Sequence, residues 1–500
     1  MKLNRSEKRE LLAREPHTGD VMNSLEAVSK LSRRCYGNVR EAVALARKFN
    51  DQCVKPVYKQ IDLKVSEDND YLPLEFIREA GRWGLFSWWV PKLFGGKGMD
   101  IISMYPFLEE IASVCTGLAN VIGVHYLGVG TLCASWNMPI MSRVLREVCA
   151  GDKTGAPCLL SLAITEPEAG TDVEEPILLD RARIGTIAKR VNGGYILNGR
   201  KIFISNGHVS TWHMVIAYED KKNPNETTVM AAVKTGTSGF TLGRHEKKMG
   251  QKACVASELV FDDCFVPDSL ICLSPGGLGN IGKSRRVISQ YVIDSIVSSS
   301  RAGVGAFAAG AARGAYETAL EYASVKTIQG KPLINHQWVQ VLLAEMYKNV
   351  NTGRVLYMES AFANALKGMY KMLSNKFFSS IVARLPGWYF TLFLGPYIRS
   401  KSATRASRKY YFEKYSDEEA QVSSGWASLV KFSASDIAVL NSSLAISLMG
   451  VDGTRHDIGA EKFFRDAKLL QIYEGTNQLN RLNLFKNLVG RNRPGVEFFQ

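Results

Sequence analysis

Apolar side chains recur every three to four residues from Asn38 to about Ala156, as in VREAVALARKF (39–49), LEFIREAGRWGLF (74–86) and MSRVLREVCA (141–150). One apolar stripe per helical turn predicts amphipathic helices packed on one another. Between about Cys158 and Cys272 the texture changes to short β-branched and aromatic runs: RVNGGYILNGRKIFISNG (190–207), WHMVIAYED (212–220), TTVMAAVK (227–234) and SELVFDDCFV (257–266). Asn-Gly pairs between such runs are hairpin signals, so an antiparallel β domain is expected. From about Ser284 the helical period returns, in VGAFAAGAARGAYETALEYA (304–323) and SASDIAVLNSSLAISLMG (433–450), and holds almost to the end. The chain therefore reads as α+β, with an N-terminal extension (1–37), a helical domain (38–157), a β domain (158–275) and a C-terminal helical domain (276–500) that carries an insert at about 370–422. Elements segregated in this way are inconsistent with a repeating βαβ fold.

Composition narrows the class. With 46% hydrophobic and 22% charged residues over 500 positions, two to four domains with ample cores are expected, not a disordered chain. No apolar run approaches the roughly 20 residues of a spanning helix, so an integral membrane protein is not expected. The start, MKLNRSEKRELLAREPHTGD, has charges of both signs and no apolar stretch, which predicts neither a secretory nor a transit signal and a cytoplasmic protein. Nine cysteines are scattered singly and seven histidines form neither HExxH nor HxH, so no metal site is predicted.

The charge is uneven. An excess of 62 Lys and Arg over 48 Asp and Glu gives +14, and most of it lies between Lys367 and Lys414, where ten basic residues face one acid, Glu413. Inside this stretch runs LPGWYFTLFLGPYI (385–398), too short to span a bilayer. Two readings stay open: a segment peripheral on an anionic membrane at the inner face, or a helical hairpin folded back on its domain with its basic residues solvated. Nothing resembles a helix or sheet that reads nucleic acid.

One string invites nucleotide chemistry. GLGNIGKS (277–284) fits GxxxxGK[ST], the pattern of a loop that cradles phosphates at a helix N-terminus with Lys283 on the outer oxygens. Such a loop belongs to a parallel sheet that continues through further strands, whereas everything after Ser284 reads as helix. A glycine-rich linker is the expected alternative.

Three distant segments together resemble the acyl-CoA dehydrogenase family: AITEPEAGTD (163–172), ILNGRKIFISNG (196–207) and EKFFRDAKLLQIYEGTNQLNR (461–481). The last is the most specific, and the resemblance covers roughly 38–492. It implies a flavoprotein oxidoreductase of fatty acid metabolism that binds FAD and removes the α proton of an acyl-CoA thioester while the β hydrogen leaves as hydride to flavin N5. By match, Thr165, Gly170, Thr171, Phe203 and Ser205 wall the flavin, with Phe203 where Trp is common. Glu474 is the implied base, because a carboxylate in an apolar pocket can have its pKa raised toward working pH. Its backbone N–H would polarise the thioester oxygen. Gly475 leaves room for substrate, and Thr476 and Gln478 would reach the cofactor. Thr171 stands where the family has a substrate-facing serine, and Arg301 matches an arginine near the base. Some members carry the base just before that arginine; here Ser300 stands there.

Further matches lie in SVKTIQGKPLINHQ (324–337), which resembles the segment that reaches a neighbouring subunit's flavin, and in the GVDG that begins at Gly450. Lys326 replaces the usual Arg, a point charge for a bidentate fork, and Ser447 replaces a usual glutamine. Gln337 and Gly450 complete the implied inter-subunit cofactor contacts. The resemblance thus implies a homodimer or homotetramer that passes electrons to an electron-transfer flavoprotein or a similar acceptor. The competing readings are a nucleotide-binding protein built on Gly277–Ser284 and a catalytically silent, membrane-associated relative.

Overall fold

A computed structural model describes residues 4–12, 22–491 and 493–499. Residues 1–3 and 13–21 of the predicted extension lie outside this range. Arg5–Leu12 and Asn23–Lys30 are helical, and Ser24 N–H donates to the Glu359 carboxylate at 3.3 Å, which fastens the second of these helices to the C-terminal part of the chain.

The first layer is helical: α1 (Arg34–Phe49), α2 (Ile101–Ala112), α3 (Thr116–Ala134) and α4 (Met138–Thr154). Local chemistry sets their ends. Asp100 accepts from the Ser103 N–H at the start of α2, and α4 carries Pro139 in its first turn and stops where Gly155 takes φ +74°. By length and composition α3, and the helix that begins at Asp417, could each cross a membrane, contrary to the expectation from apolar runs. Thr, Asn, Gly and His interrupt α3, which hides it from a run-length reading. It is a core helix, with most of its residues buried among neighbouring elements.

The middle layer is an eight-stranded sheet of β1 (Leu160–Ala163), β2 (Ile187–Val191), β3 (Gly194–Ser205), β4 (Trp212–Tyr218), β5 (Thr228–Lys234), β6 (Phe240–His245), β7 (Ala256–Pro267) and β8 (Ile271–Leu273), in the order β6-β7-β3-β2-β4-β5-β8. The Asn192-Gly193 pair makes the β2–β3 hairpin, with Val191 opposite Gly194. The sheet is mixed, not wholly antiparallel as expected, because β1 pairs with β4 in parallel. Parallel pairing needs a long connection, and the chain between β1 and β4 supplies one. Leu197, Val215, Ala217, Val229 and Leu259 close a separate small core on one face.

The last layer is a bundle around α5 (Arg285–Val325), α6 (Gln337–Lys367), α7 (Lys401–Lys414), α8 (Asp417–Met449), α9 (Ala460–Leu470) and α10 (Asn477–Leu484). Helix α5 packs on α2, α6 and α8 at once. Its Gly and Ala seam makes this possible: a Cβ at Gly310 would lie 2.5 Å from the Glu109 carbonyl, and one at Gly305 would lie 2.6 Å from Val430 Cγ2. Ser416 and Glu419 form a capping box at the start of α8.

The phosphate-loop geometry is absent among the described residues. β8 pairs antiparallel with β5, and helices follow it. The string itself is used for docking α7: Arg408 donates to the Gly277 carbonyl at 2.7 Å, Gly282 N–H to Glu413, and Lys283 to Tyr291 Oη (2.7 Å) and the Tyr415 carbonyl (3.2 Å). Lys283 is thus a structural tie and not the residue of a solvated linker.

The basic stretch divides in two. Helix α7 packs back by Ala403, Thr404, Phe412 and the buried Arg408, whose guanidinium also donates to the Ser135 and Cys272 carbonyls. Before it, Phe377, Trp388, Leu392, Phe393 and Tyr397 are each more than half exposed, and the Trp388 and Phe393 rings are 6.4 Å apart.

Candidate active site

The turn that carries Glu474 is placed by what precedes it on α9. Arg465 donates to Asp62 at 2.8 Å, and Asp466 accepts from Gln251 N–H (2.5 Å) while pairing with Lys462. Arg465 and Asp466 therefore clamp α9 to the first and second layers. Tyr473 Oη reaches Gln251 Oε1 at 3.2 Å, so the Tyr473–Thr476 turn lies where the three layers meet.

Glu474 adopts φ +55°, and Gly475 follows at +72°. A left-handed non-glycine residue costs about 1–2 kcal/mol and persists where the surroundings fix it. Three side chains fix it here: Arg301 Nε donates to the Glu474 carbonyl at 3.2 Å, Asn480 Nδ2 to the Gly475 carbonyl at 3.0 Å, and Lys431 Nζ to the Gly475 carbonyl at 2.6 Å. The carboxylate itself accepts from Ser300 Oγ at 2.5 Å. Burial, then the nearby charge of Glu174, pushes Glu474 up to about 7. Burial and the Arg301 charge bring Lys431 down to about 7. Arg301 is fully buried and spends its remaining nitrogens on Ser428 Oγ (3.2 Å) and Glu174 Oε2 (2.9 Å).

A second group lies in the β domain. Ile202 N–H donates to the Thr165 carbonyl at 3.0 Å, which sets Thr165 beside the strand end bearing Phe203 and Ser205. Beneath them a buried Lys201–Glu166 pair, 2.7 Å apart, takes two backbone N–H groups on Glu166 (Gly185 and Thr186) and gives one bond to the Ile164 carbonyl. Phe203 sits at φ +57° with 56% of its surface open. An apolar ring held in strained backbone and left exposed suits a planar cofactor such as a flavin. Gly170 leads into the Thr171–Glu174 turn, whose Glu174 reaches Arg301 and so joins the two groups.

The remaining predicted residues divide. Gly475 is beside Glu474, where a side chain would displace its neighbours: a Cβ there would meet Glu174 Oε2 at 2.9 Å. Thr476 caps α10 through Leu479 N–H at 3.3 Å, and Gln478 is exposed on the same first turn. Lys326 pairs with Asp452 at 3.0 Å beside Gly450, and Gln337 is exposed at the start of α6. Lys326 is 25 residues beyond Arg301 along α5, roughly 37 Å at about 1.5 Å per residue, so this third group stands far from Glu474 in its own chain. Two residues that sequence reasoning missed, Glu174 and Lys431, carry charge at the site. Neither stands out in a motif, since one of three acids in TDVEEP and a lysine in a helical run look like surface residues.

Family models for the N-terminal, middle and C-terminal domains of acyl-CoA dehydrogenase match residues 38–152, 161–264, and 290–377 with 401–489. The chain belongs to the acyl-CoA dehydrogenase family. Similar proteins include an acyl-CoA dehydrogenase of Bacillus subtilis, 27% identical over 85% of this chain and 93% of the relative. A cyclohex-1-ene-1-carbonyl-CoA dehydrogenase of Geobacter metallireducens is 27% identical over 82% and 88%. Among solved structures, butyryl-CoA dehydrogenase from Megasphaera elsdenii superposes with a TM-score of 0.67 at 24% identity, over 89% of this chain and 97% of that one. The acyl-CoA dehydrogenase fold and an FAD-dependent dehydrogenation of an acyl-CoA thioester go with this membership, and a nucleotide-binding role for Gly277–Ser284 does not. The C-terminal match breaks between 377 and 401, where the exposed aromatic run lies.

Proposed function

We propose that Glu474 is the base that removes the α proton from the acyl thioester, with Thr165, Gly170, Thr171, Phe203 and Ser205 walling the flavin of the same subunit and Thr476 and Gln478 reaching it. FAD, when bound, supplies the acceptor for the β hydride. The observation that carries this reading is the strained, half-buried Glu474 turn, held by Arg301, Asn480 and Lys431, with its carboxylate on Ser300 and a proton affinity near neutrality. A carboxylate poised there can take a proton at working pH and return it. The Glu474 backbone N–H remains for the thioester oxygen, since the bonds described above use the turn's carbonyls.

Glu474→Gln keeps the turn and removes only the base. We expect it to retain FAD and bind acyl-CoA, with anaerobic flavin reduction slowed by about 10²–10⁴-fold. Near-normal reduction would place the base elsewhere.

Lys326, Gln337 and Gly450 serve the flavin of a second copy, which makes a homodimer or homotetramer the working unit. The roughly 37 Å along α5 supports this assignment, because these residues stand too far from their own Glu474. An electron-transfer flavoprotein or a related carrier takes the electrons. The exposed aromatics from Phe377 to Tyr397, flanked by Lys376, Arg384, Arg399, Lys401, Arg405 and Lys409, make the enzyme a cytoplasmic protein peripheral on an anionic membrane.

A further inference from the structure

Glu174 stands three residues beyond Thr171, and its side chain is only 14% exposed. Its Oε2 accepts from Arg301 Nη2 at 2.9 Å and lies where a Cβ on Gly475 would come within 2.9 Å. The carboxylate therefore touches both the arginine that clamps the base turn and the backbone just after Glu474. Arg301 keeps its charge in any protein environment, and a buried unpaired guanidinium would cost several kcal/mol. Glu174 is the anion that makes the clamp stable, since the other partners of Arg301 are the Glu474 carbonyl and the neutral Ser428. The same negative charge faces Glu474, and a second carboxylate disfavours ionisation of the first.

We infer that Glu174 is a positioning residue of the dehydrogenation: it fixes Arg301 against the Glu474 carbonyl, and its charge sets the pH above which Glu474 accepts the α proton. The inference rests on Glu474 being the base. Other groups also face Glu474. Ser300 and Arg301 come from α5 and Lys431 from α8, with Asp436 acting on Lys431 and Asp294 beside Arg301. Asp466 also acts on Tyr473, and among the described residues Glu174 is the acid that stands directly against Gly475.

The test is the pH profile of anaerobic flavin reduction in Glu174→Gln, run with the fastest of butyryl-, octanoyl- and palmitoyl-CoA. Infrared titration of the carboxyl stretch that disappears in Glu474→Gln reads the same midpoint without turnover. We expect both the acid limb and the infrared midpoint to move down by about one pH unit. At pH 6 the variant would then run at roughly a fivefold larger fraction of its own plateau than the wild type, while the plateau itself falls as the clamp loosens. Glu174→Asp keeps the charge and draws it back by one methylene. It should move the limb the same way by less, and it decides the matter if Glu174→Gln does not fold. A limb and an infrared midpoint that stay at the wild-type pH in whichever variant folds would reduce Glu174 to a packing residue and overturn the inference. Full flavin reduction by Glu474→Gln would instead sink the assignment of the base, a separate failure.

Discussion

At the residue scale, two positive φ values mark the proposed chemistry. Phe203 and Glu474 both pay backbone strain, and both sit in segments whose resemblance to the family was readable in the sequence. Motifs made Glu474, Thr165 and Ser205 readable as candidates because their residue types and spacings are specific, whereas Arg301 rested on a weaker match outside them. They left Glu174 and Lys431 hidden, because the role of a charge depends on where folding buries it. The raised proton affinity of Glu474 has a worked sign. As a base it must be ionised, so reduction at low substrate should rise through about pH 7 to a plateau and fall about tenfold per unit on the acid side. Stability runs the other way. Because burial holds the folded-state value above the unfolded one, the stabilising contribution is complete below the unfolded value and is lost as pH rises through about 7. Glu474→Gln should therefore melt above the wild type at pH 8 and close to it at pH 4; calorimetry showing no difference at pH 8 would contradict the burial argument.

At the scale of elements, helix periods and Asn-Gly turns made the order of layers readable, while the pairing of β1 with β4 was not. Four residues carry no register, and parallel pairing was set by a long connection that sequence patterns do not measure. The GLGNIGKS string shows the converse error, since a pattern of glycines and a lysine fits many loops, and here it receives α7. Lys283→Ala should cost about 1–3 kcal/mol through the donors removed from Tyr291 and Tyr415, leave FAD content unchanged and alter no nucleotide binding. ATP or GTP binding by the wild type that vanishes in this variant would restore the nucleotide reading. The wall of the site depends on a different tie. Lys201→Met strands Glu166 without its cation in a buried setting, so urea unfolding should show a loss of about 3–5 kcal/mol, with weakened retention of FAD because Thr165 and Phe203 are no longer held together.

At the scale of the molecule, three layers converge on one turn, and the family models match most of each, with the C-terminal match interrupted between 377 and 401. Sequence alone left the insert at about 370–422 between membrane contact and a folded-back hairpin; the structure folds α7 back on the domain and leaves several aromatic rings before it exposed. Arg408, counted among the flanking cations by its position, is buried on three backbone carbonyls and cannot meet a headgroup, whereas α7 around it anchors the insert to α4 and the β5–β8 edge. The segment so anchored keeps Phe377, Trp388, Leu392 and Phe393 open at 60–76% exposure. Packing on the protein thus explains the C-terminal half of the stretch and leaves the apolar rings before it without cover. Rings of this kind enter the headgroup region, and six exposed cations beside them would each add about 1 kcal/mol near an anionic leaflet, screened over about 8 Å at physiological salt. The full-length protein should therefore co-sediment with phosphatidylserine-containing liposomes at low salt, less so at 0.5 M salt, and little with neutral liposomes. Replacing Trp388, Leu392 and Phe393 together by serine should abolish co-sedimentation while FAD content and flavin reduction stay at wild-type levels, because none of the three is among the side chains that hold the Glu474 turn. Equal partitioning of the two proteins would mean that these rings are covered by something other than lipid.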